Sequence, residues 1–157
     1  MSRPQRLVGL DYVGPQQYFL TFCTRNRNRA FLESATVDLV IAQFHRTANS
    51  HGFSFLAYCL MPDHAHALVE GVTPTADLKI FVKSAKESSG RAYSRRFGRS
   101  LWQEGYYEHV LRAEEDGRAV ARYILENPLR AGLVANVLDY PYIGSDRWSV
   151  RELIESV

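Results

Sequence analysis

Apolar positions along the chain switch between two spacings, and the switches mark out the elements. Tyr18-Phe-Leu-Thr-Phe-Cys-Thr24 is dense in aromatic and β-favouring residues and stops at an Arg/Asn-rich turn, which predicts a strand. From Ser34 to Ser50, Val37, Val40, Ile41, Phe44 and Ala48 recur at three- and four-residue intervals, a helical stripe that Gly52 stops. Phe53–Met61 reads as the next strand. Pro62-Asp63 makes a tight turn, and His64 to Val69 returns as its hairpin partner. A second helix is predicted from near Thr75, burying Leu78, Phe81, Val82 and Ala85, with Gly90 expected to break or kink it. A further strand is expected around Tyr106–Leu111. Glu114, Glu115 and Asp116 then mark a helix start, because carboxylates are favoured at the positive end of the dipole. Val120, Tyr123, Ile124 and Asn127 share one face of that helix, and Pro128 ends it. The order β-α-β-β-α-β-α predicts an α+β sandwich, a mainly antiparallel sheet with helices on one face.

Composition narrows the class. At 157 residues, with 46% hydrophobic and 23% charged residues, the chain is expected to form a single domain spanning 1–157, and disorder or a collagen-like repeat is excluded. The longest apolar run, Phe55–Met61, is far too short to span a membrane, and the N-terminus lacks the apolar core of a signal peptide. A cytoplasmic protein with no membrane partner is therefore expected. Cys23 and Cys59 each sit inside an apolar run and read as buried thiols in a reducing compartment.

Net charge is only +2, but it is unevenly spread. Between 79 and 99 stand Lys79, Lys83, Lys86, Arg91, Arg95, Arg96 and Arg99 against the single acid Glu87, a net +6, leaving the rest of the chain at −4. Lys79, Lys83 and Lys86 fall on one helical face. A second basic cluster holds Arg25, Arg27 and Arg29. Such asymmetry is the footprint of a polyanionic partner, or equally a solvated helix face beside a basic loop. Arg3 and Arg6 are consistent with a groove-reading arm or with a frayed terminus.

Two small constellations carry candidate chemistry. On a strand, residues i and i+2 point to the same face, so His64 and His66 project side by side, as two metal ligands or as part of a polar patch. Tyr123 and Asn127, one turn apart, offer a phenol and an oxygen ligand from one helix face, or a core residue and an ordinary helix end. The segment Trp102-Gln-Glu-Gly-Tyr106-Tyr107-Glu108-His109 adds aromatics that either edge the core or stack on unpaired bases.

Met61-Pro62-Asp63-His64-Ala65-His66 with Leu68-Val69 resembles the histidine-hydrophobic-histidine (HUH) hairpin of single-tyrosine transposases. Trp102-Gln103, Gly105 to His109, Leu111-Arg112, and Tyr123-Ile124 through Asn127-Pro128-Leu129-Arg130-Ala131-Gly132-Leu133-Val134 resemble the branch known as REP-associated tyrosine transposases. The likeness runs over about residues 15 to 148. It implies a ferredoxin-like α+β fold and a divalent ion, Mg²⁺ or Mn²⁺, held by His64, His66 and Asn127. Tyr123 would be the nucleophile. It further implies single-stranded DNA with hairpin structure as partner, bound through Arg25, Arg27, Arg29, Lys79, Lys83, Lys86, Arg91, Arg95 and Arg96. Monomer and homodimer are both open. The expected reaction is transesterification through a 5′-phosphotyrosine, with His109 a candidate base for the phenol proton. The competing readings are a non-cleaving hairpin-binding regulator on the same scaffold and a metal-dependent hydrolase without a covalent step.

Overall fold

The computed structural model describes residues 11–156, so Arg3 and Arg6 lie outside the described residues. Five strands, β1 (Gln17–Cys23), β2 (Phe53–Met61), β3 (His64–Gly71), β4 (Tyr107–Val110) and β5 (Ile143–Gly144), form one sheet in the order β4-β1-β3-β2-β5. Every neighbouring pair is antiparallel. The helices are α1 (Ser34–His51), α2 (Leu78–Phe97), α3 (Gly117–Leu125), α4 (Asn127–Arg130) and α5 (Val150–Glu155). The α+β antiparallel architecture is the one expected.

Strand alternation divides the apolar residues into two cores. Leu20 and Phe22 of β1, Phe55 and Leu60 of β2, and Ala65, Ala67 and Val69 of β3 meet Val40 and Phe44 of α1 and Phe81 and Val82 of α2. On the other face Ala57, Cys59 and Met61 of β2 and Leu68 of β3 meet Ala121, Ile124 and Leu125 of α3 and Leu153 of α5. The expected helical layer on one face thus holds for α1 and α2, while α3 and α5 build a second, thinner layer opposite. Strand β2 is the reason, because it is apolar on both sides and needs cover on both. A register shift between Phe55 and Ala57 lets Leu56 and Ala57 both join the second core.

Four local expectations change. Helix α2 begins at Leu78 rather than Thr75 because Asp77 is its cap, accepting the Ile80 N–H at 3.2 Å. It runs unbroken through Gly90. A Cβ there would lie 3.6 Å from Trp102 Cδ1, and the indole N–H donates to Ser89 Oγ at 2.9 Å, so packing offsets the roughly 1 kcal/mol helix cost of glycine. Pro128 does interrupt the ladder, since it lacks an N–H, but the chain turns at Glu126 and re-enters a helix at Asn127. Cys23 is only half-buried, at the strand end where Arg27 Nη1 reaches its Sγ at 3.4 Å, whereas Cys59 is fully buried. Among the described residues, no helix is long and apolar enough to cross a membrane.

Candidate active site

The β2–β3 hairpin places the two histidines. His64 stands opposite Met61 and Cys23, and His66 opposite Cys59 and Thr21, so both imidazoles emerge on the face that α3 covers. Ala65 between them points into the α1/α2 core. The rings are neighbours, their centroids 4.7 Å apart and their planes at 79°. Each is held from behind. His64 donates from Nδ1 to Asp63 Oδ1 at 2.7 Å, and Asp63 Oδ2 accepts from Arg27 Nε at 3.1 Å. His66 Nδ1 lies 2.9 Å from Thr21 Oγ1, and Phe19 covers its ring.

Electrostatics follow from this setting. Burial pushes the His66 imidazole down to about 3, with His64, Arg130 and Arg27 adding to the effect, so the ring is neutral at physiological pH. Partial burial works to raise the Asp63 carboxyl, but the hydrogen bonds from Arg27 and His64 overcome it and hold it below its usual value. With Nδ1 engaged, each ring keeps Nε2 for another partner, the arrangement that metal-ligating histidines use, with a carboxylate or hydroxyl orienting each ring.

Helix α3 brings the tyrosine. Asp116 caps it by accepting the Arg118 N–H at 3.0 Å, and Ala121, Ile124 and Leu125 anchor it to β2 and β3. Tyr123 falls off that stripe and is 57% exposed, which rules out the core-residue reading. Arg130 lies over its ring at 3.8 Å from the centroid and donates to the Tyr123 carbonyl oxygen at 2.6 Å. Tyr123 and His66 line one cleft of about 760 Å³, shared with Phe19, Thr21, Tyr107, His109 and Glu115. Neither His64 nor Asn127 belongs to its wall. Asn127 is half-buried at the start of α4, beyond the turn at Glu126.

The donor set bears on a metal. Among the described residues, no cluster of three His, Cys, Asp or Glu side chains is placed to hold one ion. A metal at this hairpin therefore needs the histidine pair together with an amide such as Asn127, water or substrate oxygens, and the two remaining ring nitrogens suit that role.

The basic residues sort into two places. Arg25 and Arg27 occupy a single 3₁₀ turn after β1, with Arg29 just beyond. Arg27 is committed to Asp63, and Arg25 reaches Ser100 Oγ at 3.2 Å. Lys79, Lys83 and Lys86 line a groove of about 630 Å³ with Ser100 to Tyr106. That groove lies on the α1/α2 side, because Val82, Leu101 and Trp102 in its wall pack into that core. Lys86 is tied down there, donating to the carbonyl oxygens of Gln103 and Gly105. Arg91, Arg95 and Arg96 are exposed farther along α2. The groove and the tyrosine cleft occupy opposite faces, Tyr106 lining the one and its neighbour Tyr107 the other. Sequence reading assigned no part to Thr21, Asp63 as a ring-orienting group, Glu115 or Arg130 in the site. Asp63 and Arg130 lie inside the motifs given above, whereas Thr21 carries no signal of its own and Glu115 reads only as part of a helix start.

The description "Transposase IS200 like" matches residues 13–127, from before β1 to the residue that opens α4. The chain belongs to that family. A proposed REP-associated tyrosine transposase of Haemophilus influenzae is 26% identical over 143 residues, covering 84% of this chain and 81% of its own. The REP-associated tyrosine transposase of Escherichia coli K12 is 24% identical over 131 residues, 83% of this chain and 77% of its own. Among solved structures, a REP-associated tyrosine transposase bound to a REP hairpin superposes with a TM-score of 0.73 at 24% identity, over 91% of this chain and 82% of that one. A proposed transposase of Deinococcus radiodurans gives 0.54 at 27% identity, over 78% and 97%. IS200-like transposases are enzymes of DNA transposition, and His64, His66, Tyr123 and Asn127 all fall within the matched segment.

Proposed function

We propose that the protein is a metal-dependent endonuclease and strand transferase for single-stranded DNA carrying hairpin structure, with Tyr123 as nucleophile. One observation carries this most: Tyr123, exposed on α3, shares a cleft with His66 of the histidine pair. Family membership and the hairpin-bound structural neighbour add to it.

In the reaction, Tyr123 Oη attacks a backbone phosphorus. The Oη–P bond forms as the bond from phosphorus to the 3′-oxygen breaks, leaving the 5′ phosphate on the protein and a 3′-hydroxyl on the released strand. A second 3′-hydroxyl attacking the phosphotyrosine reverses the step and joins new ends. A divalent ion, Mg²⁺ or Mn²⁺, held by His64, His66 and Asn127, supplies electrophilic polarisation of the scissile phosphate when bound. The protein's own residues do the rest. Asp63 and Thr21 fix the imidazole orientations, and Arg130 holds the phenol ring while putting positive charge beside the site of attack. Lys79 and Lys83, with the exposed arginines of α2, supply sequence-independent phosphate contacts.

The test is covalent trapping. The purified chain, end-labelled hairpin oligonucleotides from palindromic repeats of its own genome, and Mn²⁺ or Mg²⁺ are combined and resolved on a denaturing gel. An adduct is expected that disappears in Tyr123→Phe, in His64→Ala and on chelation. DNA that shifts on a native gel yet never becomes attached supports the non-cleaving regulator instead. Nicked product without attached protein supports the hydrolase.

A further inference from the structure

We propose that His109 is the base that takes the phenolic proton of Tyr123, with Glu115 as the residue that positions it, an inference that rests on the tyrosine-nucleophile reading above. A phenol with an ordinary pKa near 10 is a weak nucleophile at neutral pH and needs a proton acceptor within reach. Strand β4 pairs with β1 so that His109 lies opposite Phe19, on the same sheet face as Thr21 and, one strand further, His66. His109 and Glu115 line the cleft that Tyr123 lines.

The pair is built to orient. His109 Nε2 lies 2.9 and 3.1 Å from the two Glu115 carboxylate oxygens. A carboxylate only accepts, so Nε2 is the donor, and in the neutral ring Nδ1 then carries the lone pair. Glu115 is itself fixed, accepting the Arg112 N–H at 2.9 Å in the turn that enters α3. The Arg112 N–H, with the His109 bond, holds the Glu115 carboxyl below its ordinary range, so it is an anion whenever DNA is handled near neutral pH. The imidazole is 41% exposed and open to the cleft.

The other groups around the cleft are committed elsewhere or unsuited. Asp116 caps α3 through the Arg118 N–H. Glu115 serves Arg112 and His109, and the Arg112 guanidinium bears no lone pair to offer. His66 engages Thr21 through one nitrogen and offers the other to the proposed metal set. Tyr107 is a phenol, no more basic than the one it would serve. Imidazole is the side chain whose ordinary titration range spans neutral pH. The proton balance is complete: Oη loses its proton to His109 Nδ1 as the Oη–P bond forms, the 3′-oxygen leaves with the bonding pair and is protonated by water, and His109 returns its proton to solvent.

The plain alternative is a staple that fastens β4 to the α3 entrance, and His109→Gln separates the two. Its amide N–H can still reach Glu115, but it has no basic nitrogen. With the full-length chain, Mn²⁺ and a hairpin oligonucleotide, His109→Gln is expected to form the Tyr123 adduct about 10²–10³-fold more slowly at pH 7. Its rate should climb with pH where wild type levels off, and added imidazole should restore part of it in His109→Ala. Glu115→Gln should lose roughly tenfold with an altered pH profile. An adduct rate in His109→Gln within threefold of wild type from pH 6 to 9 overturns the role of His109. A deficit erased by a 3′-thiolate leaving group, which needs no proton, also overturns it by moving His109 to the leaving-group side. Absence of any adduct from wild type overturns the nuclease reading itself.

Discussion

The two faces of the sheet are built from the same strands to opposite ends. On the α1/α2 side the inward residues are large and aromatic. Phe44 lies within about 6 Å of Phe22, Phe55 and Trp102, ring to ring, and these rings pack into a continuous layer. On the α3 side the same strands present Thr21, His64, His66, Ala57 and Cys59, and the covering helix is nine residues against eighteen and twenty opposite. A short helix over small and polar side chains cannot close the layer, so a cleft remains. Its far end is fastened by polar links, Glu70 accepting from Gln17 at 2.7 Å and from Arg147. The larger core lies on one face, and the smaller core on the other shares that face with the cleft.

That contrast can be broken from either side. Phe44→Ala should cost the most stability, about 3–5 kcal/mol, through a cavity among stacked rings, read as a lower denaturant midpoint. An equal loss from Ile124→Ala would mean that the smaller core on the cleft face carries as much of the stability. Asp63→Asn should leave stability within about 1 kcal/mol of wild type and weaken metal-supported adduct formation 10–100-fold, because His64 loses the carboxylate that orients it. A Mn²⁺ titration of the adduct rate reads this directly. Reversing Lys79 and Lys83 together should lower hairpin affinity and flatten its salt dependence by roughly 0.7–0.9 in slope per lysine, leaving the adduct rate at saturating DNA unchanged. An unaltered slope would return that groove to a solvated face.

The smallest effect is a pH signature of the polar fastening. The hydrogen bond from Arg147 holds the Glu70 carboxyl below its ordinary value, so its contribution is full above that value and is lost as pH falls through the folded one. Arg147→Ala should destabilise by under about 1 kcal/mol at pH 7 and by progressively less as pH falls below the ordinary carboxylate range, measured by urea unfolding across that range.

The parts of this contrast legible in the sequence were those with a short period. Two-residue alternation placed His64 and His66 on one face, and the boundaries of β2 came directly from Gly52 and the Pro62-Asp63 turn. Helical spacing found α1, α2 and α3. What was hidden depended on contacts distant in sequence. Nothing local says that Gly90 survives mid-helix because Trp102 packs on it, or that Thr21 faces His66 across 45 positions. The same holds for the second layer, since β5 has two residues and α5 six, too few for any period to show. Tyr123 lay within an apolar-looking stripe, and only the packing of its neighbours Ala121, Ile124 and Leu125 turned it outward.

The central claim is that Tyr123 becomes covalently joined to DNA. Mass spectrometry of the protease-digested adduct tests it most directly, because it names the attached residue. The account predicts a nucleotide-bearing peptide that contains Tyr123, formed only with divalent metal present. Attachment at Tyr106 or Tyr107, or an adduct that forms as well in Tyr123→Phe, would contradict it.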